Sequence, residues 1–439
     1  MSRTLLLPAL CLSLGLSLTA TTPAYAALSA AERTMVASVD AGQARALQLL
    51  EALVNQNSGT HNLDGVTRVA AMLRPEFEAL GFSVQWQPLP QTGRAGHLIA
   101  THAGRKGGKR LLLIGHLDTV FEPDSPFQRF ERDGDRARGP GVTDNKGGIV
   151  VMLAALRAMQ AAGTLKDASI EVVLTGDEES VGQPTALARA DLIAAGRRAD
   201  VALDFENLSQ DNGADIGAIA RRSSNSWTLS TRGKSAHSSG IFSAKVGDGA
   251  IFELARILDA FRTQLPEPSL TFNVGLIGGG QSAELDAEGV RVAAAGKTNI
   301  VAPLAVARGD FRTLTPEQTA RVRDKMQAIV AAHLPGTDAQ IEFEESYPPM
   351  PPTAGNRALL AQLNLVNRDL GLPAMGELDP LQRGAGDISF VAADTDGLVG
   401  LGIAGSGSHA AQETADLSSL PRQAQRAALL MTRLSREAR

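Results

Sequence analysis

The chain has 439 residues, of which 44% are hydrophobic and 20% charged, so it can bury a sizeable core and form about two or three domains. Its formal net charge is −5 at pH 7, and the sequence has no basic runs and no basic patches interleaved with aromatic residues, so we expect no nucleic-acid partner. The one cysteine, Cys11, cannot supply a disulfide framework within the chain.

The first 26 residues have the pattern of an export signal. Arg3 precedes an apolar run over 5–18, and Ala24-Tyr25-Ala26 supplies a small-x-small cleavage site. We predict cleavage after Ala26, which would place the mature protein in the periplasm or outside the cell. A membrane anchor is the alternative, but the run is short for a span, so we expect no membrane partner for the mature form.

From Ser29 onward, segments whose apolar residues follow a helical spacing alternate with segments whose apolar residues follow a strand spacing. An apolar run then leads straight into His116, which we expect at the carboxyl end of a buried strand. The predicted elements of this part are helices over 29–54 and 67–80 and strands over 82–87, 97–102 and 110–115.

Three apolar strands, starting near residues 110, 169 and 200, end in residues that bind metals or move protons. A glycine-rich loop, 138–148, lies between the first two and carries Asp144 into an apolar helix over 149–159. Helices between strands predict an α/β fold with a mostly parallel sheet, in which ligands bind at the carboxyl ends of the strands. We therefore expect these polar side chains to converge on one rim.

The character of the sequence changes after Glu206. Shorter strands and two helices, over 249–265 and 316–333, predict an inserted α+β unit with edges near Ile219 and Pro335. A proline-rich stretch, 347–352, would be the return connection. The chain then resumes with helices over 359–370 and 420–434 and a buried strand over 397–404 that precedes His409.

Five residues offer two imidazoles and three carboxylates at these strand ends and loops. Zn²⁺ accepts both ligand types, and a carboxylate can bridge two ions roughly 3.5–4 Å apart. The five are His116, Asp144, Glu179, Glu206 and His409.

Two further acids complete the predicted chemistry. Glu178 adjoins Glu179, so one carboxylate can hold a metal while the other takes a proton from water. Asp118 lies two residues beyond His116 and is placed to orient that imidazole.

Five ordered motifs resemble those of the M20 family of di-zinc exopeptidases, with the glutamate carboxypeptidases the nearest group. The resemblance implies that His116, Asp144 and Glu206 bind one zinc ion. It also implies that Asp144, Glu179 and His409 bind the second, with Glu178 as the general base and Asp118 orienting His116. The motifs are His116-x-Asp118, Gly141 to Gly148, Asp177-Glu178-Glu179, Asp200 to Glu206, and Gly405 to His409.

The resemblance also assigns roles within the insert. Thr231 to His237 is similar to the family's Gly-Lys-x-x-His segment, whose histidine reaches the partner subunit's active site. Asn299 resembles a residue that contacts substrate, and Arg312 resembles a family arginine, although by residue type alone His237 could be an exposed loop residue and Arg312 part of an ion pair. The insert, 219–335, would then be a dimerisation and lid domain between two parts of a catalytic domain, 27–218 and 336–439, in a homodimer.

The sequence departs from this group at one point that bears on specificity. The stretch after the insert lacks the arginine that grips the substrate carboxylate in the glutamate carboxypeptidases. Arg221, Arg222 or Arg383 are candidates to replace it. Asn207 stands where a proline is common, which should leave metal binding by Glu206 intact.

The implied activity is that of an exported carboxypeptidase with two zinc ions per subunit. It would hydrolyse the amide bond to a C-terminal amino acid, glutamate-like residues included, in peptides or N-acyl amino acids. An aminoacylase or amidohydrolase acting on small N-acyl compounds is the alternative. A periplasmic binding module without turnover is the third hypothesis, and the presence of Glu178 beside all five ligands argues against it.

Overall fold

The computed structural model describes residues 28–344 and 346–439, so the predicted export signal lies outside the described residues. In sequence order, the described part of the chain begins with two helices and ends with one. In these residues, no helix combines the length and the apolarity needed to cross a bilayer. The helices are α1 (Ala30–Asn55), α2 (Leu63–Glu78), α3 (Lys146–Ala161), α4 (Thr185–Ala188), α5 (Ala190–Arg198), α6 (Ala250–Gln264), α7 (Pro316–Ala331), α8 (Ala354–Asp369) and α9 (Ser419–Arg436).

The strands form one large sheet, two four-stranded sheets and three two-stranded ones across the described ranges. The strands are β1 (Ser83–Leu89), β2 (Arg94–His102), β3 (Arg110–His116), β4 (Glu131–Asp133), β5 (Arg136–Arg138), β6 (Ser169–Thr175), β7 (Val201–Asp204), β8 (Ser209–Asp211), β9 (Ala214–Ile216), β10 (Asn225–Arg232), β11 (Ala236–His237), β12 (Thr271–Gly280), β13 (Ser282–Leu285), β14 (Val292–Ala295), β15 (Ile300–Val301), β16 (Leu304–Arg312), β17 (Asp338–Glu344), β18 (Gly397–Val399), β19 (Ala404–Ser406) and β20 (Thr414–Asp416).

The large sheet has the strand order β1-β2-β6-β3-β7-β18. β6, β3, β7 and β18 run parallel, whereas β1 and β2 are antiparallel to their neighbours. This arrangement confirms the expected α/β class with a mostly parallel sheet. Because β3 lies between β6 and β7, the residues that follow these three strands meet at one edge of the sheet.

β3 is buried on both faces, as its run of aliphatic residues predicts. Leu111 and Leu113 face the core formed with α1, α3 and α9, whereas Leu112 and Ile114 pack on the other side of the sheet with residues of α5. All four are at most 1% exposed. Each such buried side chain contributes about 1.5–3 kcal/mol, so the strand that ends at His116 is a firm support for a functional residue.

A second unit is built around the antiparallel sheet β12-β16-β10-β17. Helices α6 and α7 cover it and share a core of their own with the sheet, including Trp227, Phe261 and Phe311, which are fully buried. The sheet continues to Glu344, beyond the edge expected near Pro335, because β17 pairs with β10 as an edge strand. The return connection, 346–353, follows directly.

The expectation of one buried strand over 397–404 is wrong. The chain leaves the large sheet after β18, and Gly400 takes a left-handed conformation at φ +87° that breaks the extended path. β19 then pairs with β20 in a separate sheet that also holds β5 and β4. The break turns the chain so that His409, beyond β19, comes next to the loop that carries Asp144.

A buried ion pair fastens the last helix to the rest of the fold. Asp215 in β9 accepts hydrogen bonds from two arginines of α9, at 2.5 Å from Arg426 and 3.0 Å from Arg422. Arg426 is 1% exposed and also donates to Asn367 of α8, at 2.6 Å. Asp215 therefore joins β9, α8 and α9 at one point.

Candidate active site

His116 lies at the end of β3 with its imidazole buried among carboxylates. Its Nε2 atom is 2.9 Å from Oδ1 of Asp144 and 3.4 Å from Oε1 of Glu206. Its Nδ1 atom lies 3.1 Å from the main-chain oxygen of Asp118 and 3.4 Å from the carboxylate of the same residue. Asp118 thus fixes the ring and leaves Nε2 facing the cluster.

The Asp118 carboxylate also holds the loop after β6. It accepts the main-chain N–H groups of Glu178 and Glu179, at 3.0 and 3.1 Å, and the hydroxyl of Thr60 at 2.6 Å. Burial acts to raise the pKa of Asp118, but hydrogen bonding and the charge of His116 hold that pKa below its ordinary value. Thr60, in the connection between α1 and α2, was not foreseen from the sequence.

Asp144 stands between the two histidines. Its Oδ1 atom faces His116, and its Oδ2 atom lies 3.2 Å from Nε2 of His409. Burial acts to raise the pKa of Asp144, but hydrogen bonds from both histidines hold it well below its ordinary value. Of the predicted ligands, Asp144 alone therefore faces both imidazoles, which is the position of a bridging carboxylate.

Glu179 and His409 form the other side of the cluster. Nε2 of His409 lies 3.1 Å from Oε2 of Glu179, while Oε1 of Glu179 is buried without a hydrogen-bond partner. Burial and the charge of Asp144 raise the pKa of Glu179 to about 7, and hydrogen bonds that the His409 imidazole donates to the carboxylates of Asp144 and Glu179 raise the pKa of His409 to about 11. Carboxylates crowded in this way would be stabilised by a divalent cation.

The geometry fits metal ions at these side chains. In each of three groups, one ligand atom per residue lies within 4.8 Å of the others. Two imidazoles with three carboxylates are a donor set suited to zinc, and the unpartnered oxygen of Glu179 supplies a free ligand atom. The groups are His116, Asp144 and Glu206; Asp144, Glu179 and His409; and His116, Glu178 and Glu179.

Glu178 lies beside the predicted ligands and lines the same cavity as Asp144, Glu179, Glu206 and His409. Its side chain lines the cavity beside the cluster, and its main-chain oxygen accepts a hydrogen bond from the hydroxyl of Tyr347 at 2.5 Å. Burial, with the charges of Glu206 and Glu179 adding to it, raises the pKa of Glu178 well above its ordinary value. A carboxyl group with a raised pKa is suited to exchanging protons during a reaction.

A buried network that the sequence did not reveal lies behind Glu178. Arg189 is fully buried and donates to Asp177 at 2.5 Å, to Asp387 at 2.8 Å and to the Tyr347 hydroxyl at 3.1 Å. Its guanidinium also lies 5.4 Å from the ring centre of Phe390. The network links the junction between α4 and α5, the return connection and the segment after α8, so residues far apart in sequence fix the loop that carries Glu178.

The cavity beside the cluster has a volume of about 620 Å³ and carries three arginines. Arg383 donates to the side chain and main chain of Asn207, at 2.7 and 2.9 Å, and Arg221 donates to Gly384 at 2.7 Å. Arg312 also lines the cavity. Arg222 is not among its lining residues and donates instead to Thr271 and to a main-chain oxygen.

His237 and Asn299 lie together on the second unit, away from this cavity. Both are exposed, on neighbouring segments joined by β11 and β15, and Ser238 donates to the main-chain oxygen of Asn299 at 2.9 Å. Neither lines the cavity of its own chain. The structure thus brings together the five predicted ligands with Glu178, Asp118 and Arg312, but not His237 or Asn299.

Glu413 is a further buried carboxylate beside the cluster, four residues after His409. It accepts hydrogen bonds from the main chain of Gly141, Thr143 and Asp144. The sequence offered no periodicity or motif that marked this residue.

Residues 112–433 match peptidase family M20/M25/M40. The chain is 25% identical over 397 residues to carboxypeptidase G2 of a Pseudomonas species, covering 89% of each protein. It is 30% identical over 262 residues to acetylornithine deacetylase of Proteus mirabilis, covering 56% of this chain and 60% of the relative. Among solved structures, Bacillus subtilis YxeP, a dinuclear metal-binding peptidase of the M20 family, has a TM-score of 0.62 at 14% identity, covering 90% of this chain and 99% of that one.

Proposed function

Because residues 112–433 match peptidase family M20/M25/M40, the chain belongs to that family, and we propose that it is a metallocarboxypeptidase with two zinc ions per subunit. The reaction would hydrolyse the amide bond to a C-terminal amino acid of a peptide or N-acyl amino acid. The observation that carries this proposal is a single cavity lined by four of the five predicted ligands, all except the buried His116, together with Glu178 and three arginines. It combines metal binding, proton transfer and anion recognition.

In this proposal His116, Asp144 and Glu206 hold one ion, and Asp144, Glu179 and His409 hold the other, as the ligand groups suggest. When bound, zinc would polarise the scissile carbonyl and lower the pKa of water.

Glu178 would move the proton. Its ionised carboxylate would take a proton from the attacking water, and the carboxylic acid so formed would deliver that proton to the nitrogen of the leaving amine. Asp118 and Tyr347 hold the main chain of Glu178 from its N–H and C=O sides, which supports a fixed position for this base.

The arginines favour a substrate that carries a carboxylate. Arg221 is buried, and its Nη1 atom lacks a hydrogen-bond partner while lying 3.5 Å from Glu206. Arg383 likewise has a buried, unpartnered Nε atom. Cationic groups in the wall of the cavity would bind the free carboxylate of the released amino acid, glutamate-like ones included.

An amidohydrolase that acts on small N-acyl compounds is the second candidate. The 30% identity to acetylornithine deacetylase favours it. The same ligands and the same Glu178 would serve both reactions, so the difference lies in the side of the amide that the pocket recognises.

We also propose a homodimer in which His237 enters the cavity of the partner subunit and stabilises the oxyanion, with Asn299 nearby. Exposed apolar side chains on α6, on β12 and in the segment before α6 support an interface on this unit. They are Phe242, Ile251, Phe252, Val274 and Ile277. Export, with removal of residues 1–26, remains part of the proposal and is tested by the N-terminal sequence of the mature protein.

The test compares hydrolysis of N-acyl amino acids and dipeptides by wild type and by Glu178→Gln, with identification of the released amino acid. We expect chelation to abolish hydrolysis, Zn²⁺ to restore it, and Glu178→Gln to lose turnover by about 10²-fold or more while keeping its metal. The control is Glu377→Gln, which alters an exposed glutamate paired with Arg357. Full turnover by Glu178→Gln would reject the mechanism. Efficient hydrolysis of N-acyl amines that lack a carboxylate would favour the amidohydrolase.

A further inference from the structure

Glu413 lies at the meeting point of two loops, at the end of the turn that carries His409 and directly before β20. It has no exposed surface. A buried carboxylate is costly unless hydrogen bonds compensate for its lost hydration. The groups that surround Glu413 should therefore explain why an acid is present at this buried position.

Both oxygens of the Glu413 carboxylate accept hydrogen bonds. Oε1 accepts hydrogen bonds from the main-chain N–H groups of Thr143 and Asp144, at 2.8 and 3.0 Å, and from the Thr143 hydroxyl at 2.8 Å. Oε2 accepts the N–H of Gly141 at 2.9 Å. Because both oxygens face N–H groups, a glutamine would have to place an amide NH₂ against a donor.

These donors belong to the loop that carries Asp144, whereas Glu413 belongs to the loop that carries His409. These hydrogen bonds between the two loops matter most for His409, because the His409 side chain is 58% exposed and packing does little to fix it. His409 also has a left-handed backbone at φ +65°, a conformation that costs most non-glycine residues free energy. The His409 turn therefore needs an anchor, and Glu413 supplies one four residues away.

We propose that Glu413 is a positioning residue that sets the distance between Asp144 and His409, and thereby creates the metal position formed by Asp144, Glu179 and His409. The inference rests on the proposed function only in requiring that the cluster binds metal. The position formed by His116, Asp144 and Glu206 depends less on Glu413, because β3 and β7 support its other two ligands.

The experiment titrates apo protein with Zn²⁺ or Co²⁺ and measures the number of ions bound, the dissociation constant of each and the Co²⁺ absorption spectrum. We compare wild type, Glu413→Gln and the exposed control Glu377→Gln. Glu413→Gln should bind the first ion with nearly wild-type affinity and the second at least about tenfold more weakly. The Co²⁺ spectrum should lose the contribution of the second ion.

A milder variant, Thr143→Val, removes only the hydroxyl donor and keeps the size of the side chain, so it serves if Glu413→Gln does not fold. We expect it to weaken the second ion by about threefold. Two ions bound to Glu413→Gln with wild-type affinity would overturn the proposal, even if the melting temperature fell, because Glu413 would then be only structural. If Glu413→Gln does not fold, unchanged second-ion binding by Thr143→Val overturns it. Wild-type protein that binds no metal would reject the proposed function itself.

Discussion

The hydroxyl of Tyr347 donates a 2.5 Å hydrogen bond to the main-chain oxygen of Glu178 and accepts one from the buried Arg189. Tyr347 lies in the return connection from the second unit, while Glu178 follows β6 of the large sheet. The proposed base is thus held by the segment through which any movement of the second unit would be transmitted.

Tyr347→Phe removes this hydrogen bond and keeps the ring. One hydrogen bond is worth about 1 kcal/mol, so we expect kcat to fall by roughly three- to tenfold with little change in KM. Steady-state kinetics on the best N-acyl substrate would check this. A change confined to KM would mean that Tyr347 contacts substrate instead of positioning Glu178.

Trans complementation tests the proposed role of His237. His237→Ala and Glu178→Gln should each be nearly inactive as homodimers, while a mixed dimer keeps one cavity with Glu178 from one chain and His237 from the other. Co-expression with two affinity tags should therefore restore about a quarter of wild-type activity in a random mixture. No restoration in isolated mixed dimers would exclude a shared site.

Phe252→Asp tests the proposed dimer face. Phe252 is 51% exposed and lies 5.5 Å from Phe242 between ring centres, so a charge there would oppose burial in an interface. We expect the variant to become monomeric in light scattering and to lose turnover while keeping its metal. The matched control is Leu365→Asp, which changes a similarly exposed apolar residue on α8. A wild-type protein that is itself monomeric would contradict the proposal.

Arg383→Gln tests carboxylate recognition. Losing a hydrogen bond between charged groups costs about 1.5–3 kcal/mol, so kcat/KM should fall by roughly 10- to 100-fold for N-acyl amino acids. The same change should have little effect on the matching N-acyl amines. Arg197→Gln, at an exposed arginine beside Asp394, is the control. Equal losses on both substrate types would assign Arg383 to structure.

Asp215→Asn should destabilise the fold in a pH-dependent way. Burial acts to raise the pKa of Asp215, but hydrogen bonds from Gln210 and Arg426 hold it below its ordinary value. Because the native carboxyl binds protons less readily than the unfolded one, its contribution is complete above the unfolded pKa of about 3.9 and is lost as pH falls through the lower native pKa.

We expect a loss of about 2–4 kcal/mol at neutral pH, since Arg426 would stay buried without its partner. Urea unfolding at pH 7 and at the lowest pH where the wild type stays folded would measure it. A difference in unfolding free energy that does not shrink toward acid would contradict this account.

The sequence predicted the parts of the fold that have strong local signals. The strand over 110–115 and the strand starting near 169 were predicted because each has a continuous run of apolar residues, and the structure places strands at 110–116 and 169–175. The break at Gly400 was missed because a left-handed glycine inside an apolar run leaves no periodic signal. β17 was left outside the insert because its place depends on pairing with β10, more than a hundred residues earlier.

The candidate site also contains residues that the sequence could predict and residues that it could not. The predicted ligands stand at strand ends or in motifs, so the sequence could propose them, and the structure brings them together. Arg189, Tyr347 and Glu413 act through contacts with residues distant in sequence, at 3.1 Å for Arg189 to Tyr347 and 3.0 Å for Asp144 to Glu413. No local pattern marks such contacts before the chain is folded.

The positions of the predicted ligands along the chain also set the order in which they are synthesised. His116, Asp144, Glu179 and Glu206 leave the ribosome one after another with the first half of the chain, but His409 and Glu413 follow only after the second unit and α8 have been made. The ligands of the proposed metal position with His116 and Glu206 are therefore all synthesised long before His409, which the other proposed position needs. Maturation would then depend on the late docking of the His409 turn against the Asp144 loop.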